Sequence, residues 1–274
     1  RILVRGGSPL VVFPEGYVSH HNERLAPLMH GVAFMARVAA KRRLDEGKSS
    51  GVAVVPGFVR YFFDGDLEQA VSPVLGAIEQ RLWWQVQDRR SLCERIERIG
   101  EALLASREIE HLGVAGSGDP VPRVARLIGH LLGSLEDEWE VAAGQRETME
   151  RVKRLRAAIL AAMIDGSQMP EAERARRWHQ LGILYQVQQL NYHPGRFPSA
   201  DARAEEILDV VDQFEEDLTD ANDPHPPRRA LVSLGEAIPV SGERRGGDVD
   251  ARFTGLLRER LEDLMRVSRA WKGS

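Results

Sequence analysis

Residues 10–16 read Leu10-Val11-Val12-Phe13-Pro14-Glu15-Gly16, an apolar run that ends in a proline, a carboxylate and a glycine. Such a run is typical of a buried strand that opens into a tight loop. Ionisable and hydrogen-bonding residues fill the sequence from there to Arg24. Because α/β enzymes keep their reactive groups in loops at strand ends, this stretch predicts an α/β fold with a functional loop at residues 15–24.

A helix and a second strand are predicted directly after this loop. Helical spacing across residues 25–48 predicts one apolar face, which comprises Leu28, Val32, Met35, Ala36 and Ala39. Pro27 falls in the first turn of the predicted helix, where proline is tolerated. Residues 51–56, GVAVVP, are too short and too rich in β-branched side chains for a helix, so they predict a buried strand that ends at Pro56.

A third segment with the strand pattern lies far downstream. Residues 229–239, RALVSLGEAIP, predict a strand that contains Gly235-Glu236. An amphipathic helix is predicted after it. Its apolar face comprises Phe253, Leu256, Leu257, Leu261 and Leu264.

These three segments resemble, in the same order, motif blocks of the glycerolipid acyltransferases, the family of the lysophosphatidic acid acyltransferases. That family has an apolar strand followed by Phe-Pro-Glu-Gly and usually Thr-Arg-Ser. Phe13 to Gly16 and Ser19 match this block, whereas Tyr17 and Val18 replace Thr and Arg. Val55-Pro56 matches a later strand that ends in Val-Pro. Residues 235–238 match a Gly-Glu-Pro-Ile strand in which Ala replaces Pro.

The catalytic block of that family, His-x-x-x-x-Asp, is missing from this sequence. The reaction needs a His to take the proton from the acceptor hydroxyl and an Asp to orient the imidazole. None of the 8 histidines is followed by Asp five places later, so no catalytic residue is assigned. Since the chain begins at Arg1, we expect the catalytic block to lie upstream in a larger enzyme. The alternative is a complete protein that never had the pair.

The resemblance implies that the Phe-Pro-Glu-Gly block helps to bind a glycerol-phosphate acceptor. The candidate substrate-binding residues are Glu15, Gly16, Tyr17, Ser19 and Arg24. A carboxylate beside a glycine can accept hydrogen bonds from backbone amides or from a substrate hydroxyl, and the alternative for Glu15 is a carboxylate that only braces the loop. A guanidinium suits phosphate oxygens, so Arg24 either contacts a phosphate or pairs with a neighbouring carboxylate.

The composition excludes several classes of protein and site. Lys and Arg number 37 and Asp and Glu 41, and the net charge of -4 gives no reason to expect nucleic-acid binding. The single cysteine, Cys93, excludes an intrachain disulfide and a cysteine-built zinc site. No apolar run approaches the roughly 20 residues of a transmembrane helix. The aromatic clusters Tyr61-Phe62-Phe63 and Trp83-Trp84 are either peripheral membrane contacts or packing residues.

Helical periodicity continues almost throughout residues 66–222, for example in the stripes at residues 124–135 and 207–218. Together with the resemblance, this periodicity predicts an α/β class with three segments. The resemblance implies that residues 1–65 are the C-terminal half of an acyltransferase α/β core, that residues 66–222 are a large all-helical insertion or extension, and that residues 223–274 are the returning strand and terminal helix of that core.

The resemblance implies that the full protein is a phospholipid or glycerolipid O-acyltransferase of lipid metabolism. It would move an acyl group from acyl-CoA or acyl carrier protein to lysophosphatidic acid or a related lysophospholipid, with no metal ion and no other cofactor. We expect it to lie peripherally at the cytoplasmic face of a membrane, and we expect this fragment alone to be inactive. The alternative is a non-catalytic helical interaction or regulatory protein that carries a degenerate acyltransferase-like half-domain.

Overall fold

A computed structural model describes residues 2–16, 24–48, 51–142, 144, 146–165, 169–192, 195–219, 225–242 and 249–271. Within these ranges the chain forms nine helices and four strands, so the predicted mixture of helices and strands is confirmed. The helices are α1 (Ile2–Arg5), α2 (Gly31–Asp45), α3 (Leu67–Arg81), α4 (Leu92–Leu112), α5 (Pro120–Trp139), α6 (Thr148–Asp165), α7 (Glu171–Tyr192), α8 (Ala204–Thr219) and α9 (Val249–Arg269). The strands are β1 (Val52–Val54), β2 (Gly57–Phe63), β3 (Arg228–Leu234) and β4 (Ile238–Val240).

The chain divides into two compact units. The first unit comprises Arg1–Ala70, Arg203–Gln213 and Ala221–Ser274. The second unit comprises Val71–Ala202 and Phe214–Asp220. Helices α3 and α8 therefore contribute residues to both units, and the segment boundaries at residues 65 and 222 stay a prediction.

The four strands of the first unit form two antiparallel pairs that follow one another along the chain. β1 pairs with β4 from Val52↔Val240 to Val54↔Ile238, and β2 pairs with β3. Between the pairs, the Gly235 N–H donates to Pro56 O at 2.8 Å. The segment between β3 and β4 has one residue more than the segment between β1 and β2, as in a β-bulge. The strand predicted at residues 51–56 is confirmed only as the shorter β1, which ends at Val54 and has no fully buried residue. The strand predicted at residues 229–239 is instead two strands.

Strand β2 was not predicted, because Pro56-Gly57 has the composition of a strand end. Its alternate side chains pack towards α9, where Arg60 Nε donates to Ser268 Oγ at 2.9 Å. The rings of Phe62 and Trp271 have centroids 5.2 Å apart. Phe62 is therefore a packing residue. A membrane contact by Tyr61 or Trp83, which are both exposed, stays a prediction.

Residues 10–12 were predicted as a buried strand, and that prediction is wrong. They form no strand, and 77% of the Val11 surface is exposed. A strand is stable only where a neighbour takes its backbone hydrogen bonds. No strand in the described part of the chain pairs with this stretch.

Helix α2 begins at Gly31 rather than at residue 25, because backbone groups of residues 25–29 bond to partners outside a helix. Its buried face also differs from the predicted one, since Met35 is exposed. The buried residues are Ala33, Ala36, Ala39, Ala40 and Arg43. Arg43 Nη1 donates to Val4 O of α1 at 2.9 Å, which explains how this guanidinium is buried on an alanine face.

The second unit is built around an apolar core shared by α4, α5, α6 and α7. Ser91 and Glu94 form a capping box at the N-terminus of α4. Asp119 is the N-cap of α5, and its side chain accepts from the Val121 N–H at 3.0 Å. The predicted stripe at residues 124–135 is confirmed as buried. The best-buried members of this core include Leu127, Leu132, Leu155, Ile159 and Leu184.

Candidate functional site

The Phe13–Gly16 motif forms a tight turn in the first unit. The Gly16 N–H donates to Phe13 O at 3.2 Å, and Pro14 occupies the second position, where its fixed φ suits a β-turn. Gly16 has a φ of +78°. The turn is tied to the residues before α2, because the Met29 N–H donates to Pro14 O at 2.7 Å.

The carboxylate of Glu15 braces this turn against the following segment. Its Oε2 accepts a hydrogen bond from the Ala26 N–H at 3.0 Å, and the residue is half-buried. The structure therefore places Glu15 in the bracing geometry that the sequence offered as one of two alternatives.

Helix α9 holds the same segment from the other side. Arg258 donates to Ala26 O and to Leu25 O, each at 3.2 Å. Arg258 is itself paired with Glu262 at 2.8 Å, one helical turn further along. One guanidinium thus satisfies two carbonyls that no helix or strand uses.

A second contact between this segment and α9 lies at the start of α2. His30 Nδ1 and Thr254 Oγ1 are 3.1 Å apart, and the Thr254 hydroxyl donates to Asp250 O at 2.7 Å. Thr254 Oγ1 therefore links the His30 ring to the backbone of α9. Both carboxylate oxygens of Asp250 accept from Arg37, and this hydrogen bonding lowers the pKa of Asp250.

Residues in or beside the three motif segments pack on one apolar cluster. Leu28 follows the Glu15 turn, Ile238 is the first residue of β4, and both are buried against Leu257 and Leu261 of α9. Val54, just before the Val55-Pro56 motif, packs against the same cluster. Segments that are far apart in the sequence are therefore neighbours in the first unit.

Among the candidate site residues, Glu15 and Gly16 share the turn, and Arg24 is an exposed residue one position before the segment that α9 holds. Tyr17 and Ser19 lie outside the described residues. Contact of Arg24 with a phosphate stays a prediction.

A His–Asp pair that sequence reasoning missed lies elsewhere in the first unit. His225 Nε2 is 3.1 Å from Asp212 Oδ1, and both residues are buried. Asp212 comes before His225 in the chain, so the search for an Asp after each His did not find it. The other carboxylate oxygen of Asp212 accepts from Arg228 Nη2 at 2.9 Å.

The contacts of this pair lie at the start of β3. Arg228 donates to Asp212 Oδ2 and to His225 O, so this guanidinium joins α8 to β3. We interpret the pair as part of this buried tie rather than as the base of the candidate site.

The described residues contain no group of three or more His, Cys, Asp and Glu side chains placed to hold a metal ion. Among the helices in the ranges given above, none is long and apolar enough to cross a membrane. The chain matches no protein-family model, no curated protein and no solved structure. Its function is therefore inferred from the motifs and from the contacts that they make.

Replacement of Gly16 by alanine is expected to destabilise the first unit by about 1–2 kcal/mol, because a side chain in the left-handed region is strained. A Cβ at this position would also overlap Met29 Sδ, the flexible end of an exposed side chain. Gly7→Ala is the matched control, since Gly7 has a φ of +91° and no atom near its missing Cβ. Urea unfolding of both variants measures the difference. If both variants lose the same free energy of unfolding, Met29 moves aside freely. If Gly16→Ala loses none, the strain argument is contradicted.

Proposed function

We propose that the protein is a glycerolipid O-acyltransferase that transfers an acyl group from acyl-CoA or acyl carrier protein to lysophosphatidic acid or a related lysophospholipid. One observation carries this proposal. Residues in or beside the three segments that resemble the family's motif blocks pack on one apolar cluster: Leu28 follows the Phe13–Gly16 turn, Val54 precedes Val55-Pro56, and Ile238 lies in the third segment. This shared packing supports the proposal.

The role proposed for this chain is binding of the acceptor at the Glu15 turn. Transfer requires a base for the acceptor hydroxyl, and the resemblance places that base in an upstream His-x-x-x-x-Asp block. We assign no part in this step to the His225–Asp212 pair, because its contacts are with Arg228 of β3. We therefore expect the 274-residue chain alone to bind the acceptor without consuming acyl-CoA.

The test is a calorimetric titration of the chain with a short-chain, water-soluble lysophosphatidic acid. Glu15→Gln removes the charge but keeps an oxygen that can accept from the Ala26 N–H. We expect this variant to lose about tenfold or more in affinity, since a hydrogen bond to a charged group contributes roughly 1.5–3 kcal/mol. Asp45→Ala, which removes an exposed carboxylate at the end of α2, is the control and should bind like the wild type.

Two outcomes of this titration would overturn the proposed role of Glu15. If Glu15→Gln binds like the wild type and only Glu15→Ala loses affinity, the carboxylate braces the loop and does not contact the ligand. If none of the proteins binds, the acceptor site is not here. Turnover of acyl-CoA by the chain alone would show that the chain contains its own base.

The second candidate function is a non-catalytic interaction or regulatory protein. The observation in its favour is that the second unit has an apolar core of its own across α4 to α7 and contains none of the motif residues. Such a protein would be indifferent to Glu15→Gln in every lipid titration. The same experiment therefore separates the two candidates.

A further inference from the structure

A groove of about 230 Å³ runs between α5 and α7 in the second unit, and His111 from α4 also lines it. The residues facing it recur at helical spacing. On α5 they include His130, Ser134 and Glu138, and on α7 they include Arg176 and His179. Three imidazoles from three helices therefore line one small cavity.

The floor of the groove is apolar. Leu131 and Leu135 belong to the buried core of the second unit, and the partly buried Ile183 packs against that core. The exposed carbon atoms here belong mainly to Ile183, since Leu131 and Leu135 are each 4% exposed, and they offer a small surface for a short hydrocarbon chain.

The polar groups at the groove are mainly hydrogen-bond donors. Its carboxylate, Glu138, already accepts from Arg176 Nη2 and from Gln180 Nε2, each at 2.5 Å. His111 Nε2 lies 3.0 Å from Gln186 Oε1. The rings of His130 and His179 face the groove on opposite helices, and each offers an N–H in any protonation state.

We propose that this groove binds a small carboxylate with a short apolar tail, its head between His130 and His179 and its tail on Leu131, Leu135 and Ile183. The volume is below the roughly 300–1,000 Å³ of pockets for drug-sized ligands, so the ligand is small. A phosphate dianion suits the site less well, because it has no apolar part to place on Leu131, Leu135 and Ile183. This inference does not rest on the acyltransferase proposal.

The test uses sodium hexanoate at pH 7, with hexanamide as an uncharged ligand of the same length. We expect hexanoate to bind with a Kd on the order of 1 mM, as for a ligand of this size, and at least tenfold more tightly than hexanamide. Imidazole resonances of His130 and His179 should shift on titration, whereas those of His30, which lies in the other unit, should not.

The double variant His130→Asn/His179→Asn should weaken hexanoate binding at least tenfold. Both positions are exposed, so the variant should fold, and its melting temperature checks this. His30→Asn is the control for loss of an imidazole. Ile183→Ser should weaken hexanoate binding and leave acetate binding unchanged.

Three outcomes would overturn the inference. Equal binding of hexanoate and hexanamide would show an apolar cleft without anion recognition. Unchanged binding in the double variant would place the ligand elsewhere. Inorganic phosphate that displaces hexanoate at equal concentration would show an oxyanion site with no use for the apolar floor.

Discussion

Glu79→Ala is expected to destabilise the second unit by about 3–5 kcal/mol, because it leaves a buried arginine without its counter-charge. The side chains of Glu79 and Arg95 are 1% and 0% exposed. They pair through two hydrogen bonds, both of 3.0 Å. Arg95 also donates to Ser72 Oγ at 2.6 Å, and Glu79 accepts from the Gln87 N–H at 2.9 Å. Urea unfolding of the variant measures the loss.

The double variant Glu79→Gln/Arg95→Met distinguishes the destabilisation caused by one unpaired buried charge from the stabilisation that the ion pair itself provides. It removes both charges and keeps an acceptor for the Gln87 N–H. Replacing a buried ion pair by neutral groups of similar volume is often close to neutral, so we expect the double variant to recover most of the stability. If the double variant is as unstable as Glu79→Ala, the ion pair itself stabilises the unit and our reasoning is wrong.

Glu108→Gln is expected to lower the free energy of unfolding of the second unit by about 3–5 kcal/mol at pH 7, because it also leaves a buried arginine without its counter-charge. Glu108 is fully buried and accepts from Arg123 Nη2 at 2.8 Å, from Arg126 Nη2 at 2.9 Å and from the Gly116 N–H at 2.7 Å. This carboxylate therefore joins α4, the loop after it and α5. Glu97→Gln, at an exposed position of α4, is the matched control and should be near neutral.

The penalty of Glu108→Gln should depend on pH. The hydrogen bond from Arg123 is the main reason why the pKa of Glu108 lies below its ordinary value of 4.5. The unfolded chain then binds the proton more readily than the folded chain. The stabilisation is complete above pH 4.5 and is lost as the pH falls through the lower, folded-state pKa. Urea unfolding from pH 7 downwards should show the two proteins converging in acid, and a constant difference would contradict this account.

The helices of the second unit could be predicted from sequence because helical periodicity is a local property. The stripe at residues 124–135 needs no knowledge of its partners. Strands differ, since their hydrogen bonds go to distant residues. Leu10 to Val12 has a strand-like composition and no partner in the described chain, whereas β2 begins with Gly57 and is stabilised by pairing with β3.

The candidate site was predictable only in part, for the same reason. The motif at residues 13–16 indicated a turn, and Glu15 indicated a bracing or binding carboxylate. Ala26, whose N–H donates to Glu15, is near it in sequence. Arg258 and Thr254, which contact the segment after the turn, are more than two hundred residues away. Charged residues such as Glu79 and Arg123 have the composition of a solvated surface, and only the packing shows that they are buried.

The pairing of β2 with β3 has a consequence for how the chain is made. Asp64 and its partner Arg229 are 165 residues apart, and the whole second unit is translated between them. At 5–20 residues per second, β1 and β2 leave the ribosome about ten to thirty seconds before the strands that pair with them. During this interval Val59 and Tyr61 belong to an unpaired, apolar strand, which is the kind of segment that self-associates. Strands β1 and β2 are thus synthesised well before they are protected, and a nascent chain of this design depends on something else to shield them.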